Sequence, residues 1–93
     1  MQYDYNDENL RRHGVTRSEV EEVLDEDNTM TREFDMLLSR RGRLRTMFVG
    51  YNLAARLLEI GVELIDQDNA YVFHGQAISP RYRKLYEERI ANE

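Results

Sequence analysis

Ninety-three residues are enough chain for one hydrophobic core and too few for two, because a domain this short buries only about 60 to 65 per cent of the surface its unfolded chain exposes. The absence of cysteine excludes a disulfide framework and a thiolate zinc site, so stability has to come from packing. A formal net charge of -5, with 33% charged residues and a mean hydropathy of -0.74, argues against indiscriminate nucleic-acid binding and implies a lean core that a partner interface would help.

The chain opens on Met1-Gln2-Tyr3-Asp4-Tyr5-Asn6-Asp7-Glu8, polar and acidic with no apolar targeting segment. No later apolar run nears the roughly 18 residues that a membrane span needs. The expectation is a soluble, cytoplasmic protein without a membrane partner. Between Asp4 and His13 lies a short helix that Asp4 or Asn6 can cap, and Gly14 follows where a left-handed residue closes a helix. Thr16-x-x-Glu19 is a capping box, with Val15 placed to staple onto Val20, and it predicts a helix over residues 17 to 26. The apolar face of that helix is only Val20, Val23 and Leu24. Glu19, Glu21, Glu22, Asp25, Glu26 and Asp27 stand against Arg17 alone, so the rest of the helix faces solvent or a basic partner.

From Thr29 the period changes to two, with Met30, Phe34, Met36 and Leu38 on one side of a half-buried strand. A basic stretch follows: Arg40, Arg41, Arg43, Arg45 and Arg56 lie within residues 39 to 57, which contain no acid. Arg43 to Tyr51 is rich in strand formers, and after a loop around Asn52 to Ala55 a second alternation points Leu58, Ile60, Val62 and Leu64 inward. These two strands should pair as a hairpin. Asp66-Gln67-Asp68-Asn69 is a turn cluster, and Ala70 to Ile78 reads as a fourth strand whose Gly75 marks a bulge or a close backbone approach. Ser79-Pro80 then heads a final helix whose apolar stripe is Tyr82, Leu85, Tyr86 and Ile90. The sum is an α+β fold: two N-terminal helices, a four-stranded mainly antiparallel sheet and a C-terminal helix, with the helices on one face of the sheet and the other left open.

In order and spacing, several segments resemble the BrnT toxin family. They are Arg12-His13-Gly14-Val15 with the following Ser18-Glu19-Val20-Glu21-Glu22-Val23-Leu24, then Arg45-Thr46-Met47-Phe48-Val49-Gly50, Arg56-Leu57-Leu58, and Arg81-Tyr82-Arg83-Lys84-Leu85-Tyr86-Glu87. The resemblance implies a small RelE-like domain acting as the endoribonuclease toxin of a bacterial toxin–antitoxin pair. It also implies a cognate small antitoxin protein, with DNA reached only through the antitoxin complex. The chain departs from the family pattern in places: Gln76 stands where the resemblance expects an arginine, Tyr82 where it expects a glutamate, and Tyr5-Asn6 where it expects a Trp-Asp pair, before a first helix about one turn shorter.

A ribonuclease that works without a metal or other cofactor needs cations to hold the scissile phosphate and a proton donor or acceptor near the 2′-hydroxyl and leaving oxygen. Arg43 and Arg45 share one side of a strand by the two-residue period, and Arg81 and Lys84 share a face of the last helix. His74, beside Gln76, is the candidate acid or base, because imidazole titrates near neutral pH. The candidate catalytic set is therefore His74, Arg45, Arg81, Arg83 and Tyr86, with Arg43, Lys84, Gln76 and His13 as RNA-binding residues and no metal ligands. Each has a structural alternative. The basic residues read equally as solvated surface charge, His13 as a group bonding the last carbonyls of its helix, and Tyr82 and Tyr86 as core residues whose phenol tips could stack on RNA. At the level of function the alternative is a non-catalytic domain of the same fold that binds a basic, antitoxin-like partner through its acidic and apolar faces.

Overall fold

A computed structural model describes all 93 residues. Its elements are β1 (Gln2–Tyr5), α1 (Asp7–Arg12), α2 (Arg17–Leu24), β2 (Arg32–Asp35), β3 (Arg45–Tyr51), β4 (Leu57–Leu64), β5 (Asn69–Ala77) and α3 (Pro80–Ala91). Local chemistry sets the helix starts. Thr16 Oγ1 accepts from the Glu19 backbone N–H at 3.1 Å while Glu19 Oε1 accepts from the Thr16 backbone N–H at 3.0 Å, so the capping box forms as read. Asn6 caps α1 and Ser79 caps α3 with Pro80 at its first position. The second helix stops at Leu24, two residues short of expectation, because the Asp25 carboxylate turns back to accept from the Asp27 backbone N–H at 2.8 Å.

The sheet has five strands in the order β1-β5-β4-β3-β2, one more than expected. Three pairings are antiparallel, and β1 lies parallel to β5 with Tyr3 opposite Ala70. The unexpected strand is the polar Gln2-Tyr3-Asp4-Tyr5, whose two tyrosines turn inward against the core. Chain entering β2 is also irregular where the sequence suggested a strand. The Asn28 side chain donates to Glu22 O and Tyr51 O, and the Thr31 N–H bonds Asn28 O, which holds residues 28 to 31 in a turn. Beyond β2 the chain leaves the ladder for a loop closed by Ser39 N–H to Arg43 O, with Gly42 at φ +72°. Met30 and Leu38, expected inward, are therefore exposed, and Leu64 is partly exposed at the end of β4.

Strand alternation divides the apolar residues between two faces. Leu58, Ile60 and Val62 of β4 join Ala70 and Val72 of β5 beneath Leu10 of α1, Val15 of the link that follows it, and Val20 and Val23 of α2. On the opposite face Phe34, Met47, Val49 and Leu57 pack against Tyr82 and Tyr86 of α3. Helices thus cover parts of both faces, rather than one face as expected. The reason is positional: α1 and α2 follow β1 on one side of the sheet, whereas α3 leaves β5 and crosses to β2 and β3 on the other. Ile60, Leu58 and Val20 are fully buried, each contributing about 1.5 to 3 kcal/mol of transfer free energy. Gly75 is a close approach: a Cβ there would lie 2.6 Å from Leu10 Cδ2. The irregularity of β5 falls two residues earlier, since Gly61 faces His74 while Val62 faces Val72, which leaves Phe73 as an extra, bulged residue. No helix is long and apolar enough to cross a membrane.

Candidate active site

Because Leu58, Ile60 and Val62 point to α1 and α2, the alternate residues Glu59, Gly61 and Glu63 must point to the other face. On that face α3 packs over β2, β3 and the first residue of β4. The part formed by β4 and β5 carries charged groups instead. In cross-strand register Arg45 faces Glu63, Gly61 faces His74 and Glu59 faces Gln76, so these six positions share one surface.

Both carboxylates are buried, with Glu59 at 4% and Glu63 at 7% exposure, and burying an ionised carboxylate is tolerated only when its oxygens are satisfied. Glu59 Oε1 accepts from the Ser79 backbone N–H at 2.7 Å, just before α3, and Glu59 Oε2 lies 3.0 Å from His74 Nε2. Burial alone raises its proton affinity, but the bonds from His74 and Ser79 outweigh it and hold the carboxyl below its usual range. Glu63 Oε1 accepts from Arg45 Nε at 3.0 Å, and its other oxygen lies 3.6 Å from an Arg43 guanidinium nitrogen. Here too burial pushes the carboxyl up while Arg45, Ser39 and Arg43 bring it below its usual value.

A glycine and a bulge hold these two charged groups in one strip. A Cβ on Gly61 would stand 2.6 Å from Phe73 Cζ and 3.1 Å from His74 Cβ, so only glycine lets both side chains lie over β4 at this point. The Arg45 guanidinium in turn sits 4.5 Å from the Phe73 ring centroid. His74, Phe73, Arg45, Glu63 and Arg43 therefore succeed one another in contact along the surface. Beyond Arg45 the strip opens into a groove of about 560 Å³ lined by Asp4, Ser39, Arg40, Arg41, Arg43, Arg45, Glu63, Ile65 and Tyr71.

Five of the nine candidate residues lie along this strip, the two arginines on Glu63 at one end and the other three around Glu59 at the other. They are His74, Arg45, Arg43, Gln76 and His13, whose ring stands edge-on to His74 with centroids 5.8 Å apart. His13 also closes α1, through its backbone N–H rather than its ring. Arg81 borders the site, since α3 starts directly after the Ser79 N–H that Glu59 holds; its guanidinium lies 5.6 Å from the Tyr82 ring centroid. Lys84 is one turn further along and exposed. Arg83 sits about 200° around the helix from Arg81, so the two cannot both face the strip. Tyr86 lies elsewhere: it is 3% exposed, its phenol donates to Met30 O at 2.7 Å, and it stacks edge-on with Tyr51. Burial, and then the neighbouring Tyr51, raise its proton affinity, so its proton is committed to the core.

Glu59, Glu63 and Phe73 are the site residues that sequence reasoning missed. In Leu57-Leu58-Glu59-Ile60-Gly61-Val62-Glu63-Leu64 the sequence shows that the two acids and a glycine share one side of a strand whose other side is wholly apolar, but not that this side is buried. A second concave surface lies at the opposite end of β3, a groove of about 520 Å³ where Glu22, Asp25 and Asp27 surround Met30, Tyr51 and Leu53. No protein-family model matches the chain, and no curated protein matches it either.

Proposed function

We propose that this chain is a metal-independent endoribonuclease of the BrnT-like, RelE-fold toxin type. The observation that carries the reading is the contact strip on the uncovered part of the sheet. Along it lie an imidazole held by a buried carboxylate and, beyond the Phe73 ring, an arginine stacked on that ring, with further arginines lining the adjoining groove. On this reading Arg45 and Arg43 hold the scissile phosphate, Arg81 approaches from the start of α3, and His74 moves the proton. The 2′-oxygen attacks phosphorus, the bond from phosphorus to the 5′-oxygen breaks, and the products are a 2′,3′-cyclic phosphate and a 5′-hydroxyl. Stacking and cation placement of this kind suit unpaired RNA, whose bases and 2′-hydroxyls are accessible.

Inducible expression followed by analysis of cellular RNA, together with cleavage of purified RNA by the isolated chain, tests the reading. Growth arrest and cleavage are expected, and His74→Ala should slow cleavage by roughly 10²- to 10⁴-fold, the range attributed to a positioned acid or base. Absence of cleavage, or an Arg45→Ala/Arg81→Ala double variant that cleaves like the parent, sinks it.

The acidic groove supports a second reading, in which the chain is a partner-binding module of a toxin–antitoxin operon. Its acids and exposed Leu53 and Met30 suit a basic antitoxin carrying apolar side chains, with DNA contacted only by that partner. Co-purification with the product of an adjacent gene, without toxicity, selects this reading. Toxicity relieved by that product selects the first.

A further inference from the structure

We infer that Glu59 is the positioning residue of this site: its carboxylate fixes which nitrogen of His74 carries the proton and ties that ring to the first turn of α3. The inference rests on the nuclease reading for its catalytic consequence, but not for its geometry.

An ionised carboxylate only accepts hydrogen bonds. With Glu59 Oε2 at 3.0 Å from His74 Nε2, the hydrogen of a neutral His74 must sit on Nε2. Nδ1 then keeps the free lone pair. The other carboxylate oxygen cannot compensate for a change of partner, because Oε1 is occupied by the Ser79 N–H at 2.7 Å. One side chain from the middle strand of the sheet therefore holds two elements at once, the bulged segment of β5 that carries His74 and the cap of the helix that carries Arg81. Burial of Glu59 and the 20% exposure of the His74 side chain keep water from replacing either bond.

The chemical consequence is that His74 acts through Nδ1 as a base. It takes the 2′-hydroxyl proton as the 2′-oxygen bonds to phosphorus, and the imidazolium so formed is stabilised by Glu59 on its far side, as a carboxylate does for a histidine that it orients. The leaving 5′-oxygen takes its proton from water, and His74 returns its own proton to the hydroxide left behind, so the cycle closes.

The chain contains two histidines, which makes the test direct: long-range ¹H–¹⁵N correlation of the imidazole rings at alkaline pH, on the full chain and on Glu59→Gln. In the parent protein His74 should be the Nε2–H tautomer. In Glu59→Gln the amide oxygen stays with the Ser79 N–H and the amide nitrogen faces the ring as a donor, so His74 should switch to the Nδ1–H tautomer while His13 serves as the internal reference. With RNA, the same variant should lose roughly 10- to 100-fold in kcat, the range for a group that orients a functional ligand, at nearly unchanged KM. A parent His74 in the Nδ1–H form, or one whose tautomer ignores the substitution, overturns the inference even if RNA is cleaved. Tautomer reversal in a protein that does not cleave RNA upholds the positioning role and removes the nuclease reading. Should Glu59→Gln fail to fold, the tautomer of the parent protein decides the matter alone.

Discussion

The two sides of β4 solve opposite problems within one strand. Toward α1 and α2 it presents Leu58, Ile60 and Val62, all buried among aliphatic side chains. Toward the other face, Glu59 and Glu63 are almost as deeply buried, yet each is held by named donors: Ser79 and His74 for one, Arg45 and Arg43 for the other. Burial on the first side is favourable in itself, whereas burial on the second is tolerated only because every oxygen has a partner. A small domain with a lean core has little reason to bury two carboxylates for stability, since an ion pair in such a place is weak support for a fold. Two perturbed acids with a histidine and arginines along one surface support the proposed site.

Substitutions on the two sides should therefore behave differently. The largest loss of stability is expected for Ile60→Ala, about 2 to 5 kcal/mol for a fully buried aliphatic side chain, read by denaturant unfolding. Any RNA cleavage per folded molecule should stay unchanged, and a comparable loss of cleavage in the folded fraction would erase the distinction between the sides. Gly61→Ala comes next. Its new methyl group would stand 2.6 Å from Phe73 Cζ, and displacing that ring should cost about 1 to 3 kcal/mol, as for an overpacked site. It should also detach Arg45 from the ring, so RNA affinity and stability fall together, and an affinity equal to that of the parent would break the proposed link between Phe73 and Arg45.

The smallest and most selective effect concerns acid. Glu59 and Glu63 are both held below the ordinary value of 4.5 in the fold, so the unfolded chain binds protons more readily than the native one as the pH drops. Their contribution to stability is complete above about 4.5, and is lost as the pH falls through the lower native values. Unfolding followed from pH 7 downward should show a plateau and then a decline, with a shallower decline in Glu59→Gln/Glu63→Gln. Equal slopes in the two proteins would mean that these acids are not held as their contacts indicate.

Elements with a local signature were legible in the sequence. The Thr16 capping box, the Ser79-Pro80 helix start and the alternation of Leu58, Ile60 and Val62 all carry their physics within a few residues, and all stand where they were read. What escaped depends on distant partners. Gln2-Tyr3-Asp4-Tyr5 becomes a strand because β5 offers it an edge. Met30 and Leu38 alternate correctly for a strand but fall outside β2, the first in a turn held by Asn28 and the second in the loop beyond the strand's end. At the site, the basic residues and His74 were legible from residue type alone. Glu59 and Glu63 were not, because acids opposite an apolar row normally face water, and only the central position of β4 buries them.

The sheet order has a further consequence for how the chain reaches its native state. Of the five strands of this sheet, the first in the chain, β1, has as its neighbour the last, with Gln2 opposite Asn69 and Tyr5 opposite Val72. Tyr3 and Tyr5 therefore find that neighbour only some seventy residues further along the chain. Closing so long a loop before any reward raises the contact order and slows folding relative to a helical domain of equal length. A product truncated before β5 would lack both the edge that receives β1 and the histidine that the proposed chemistry needs.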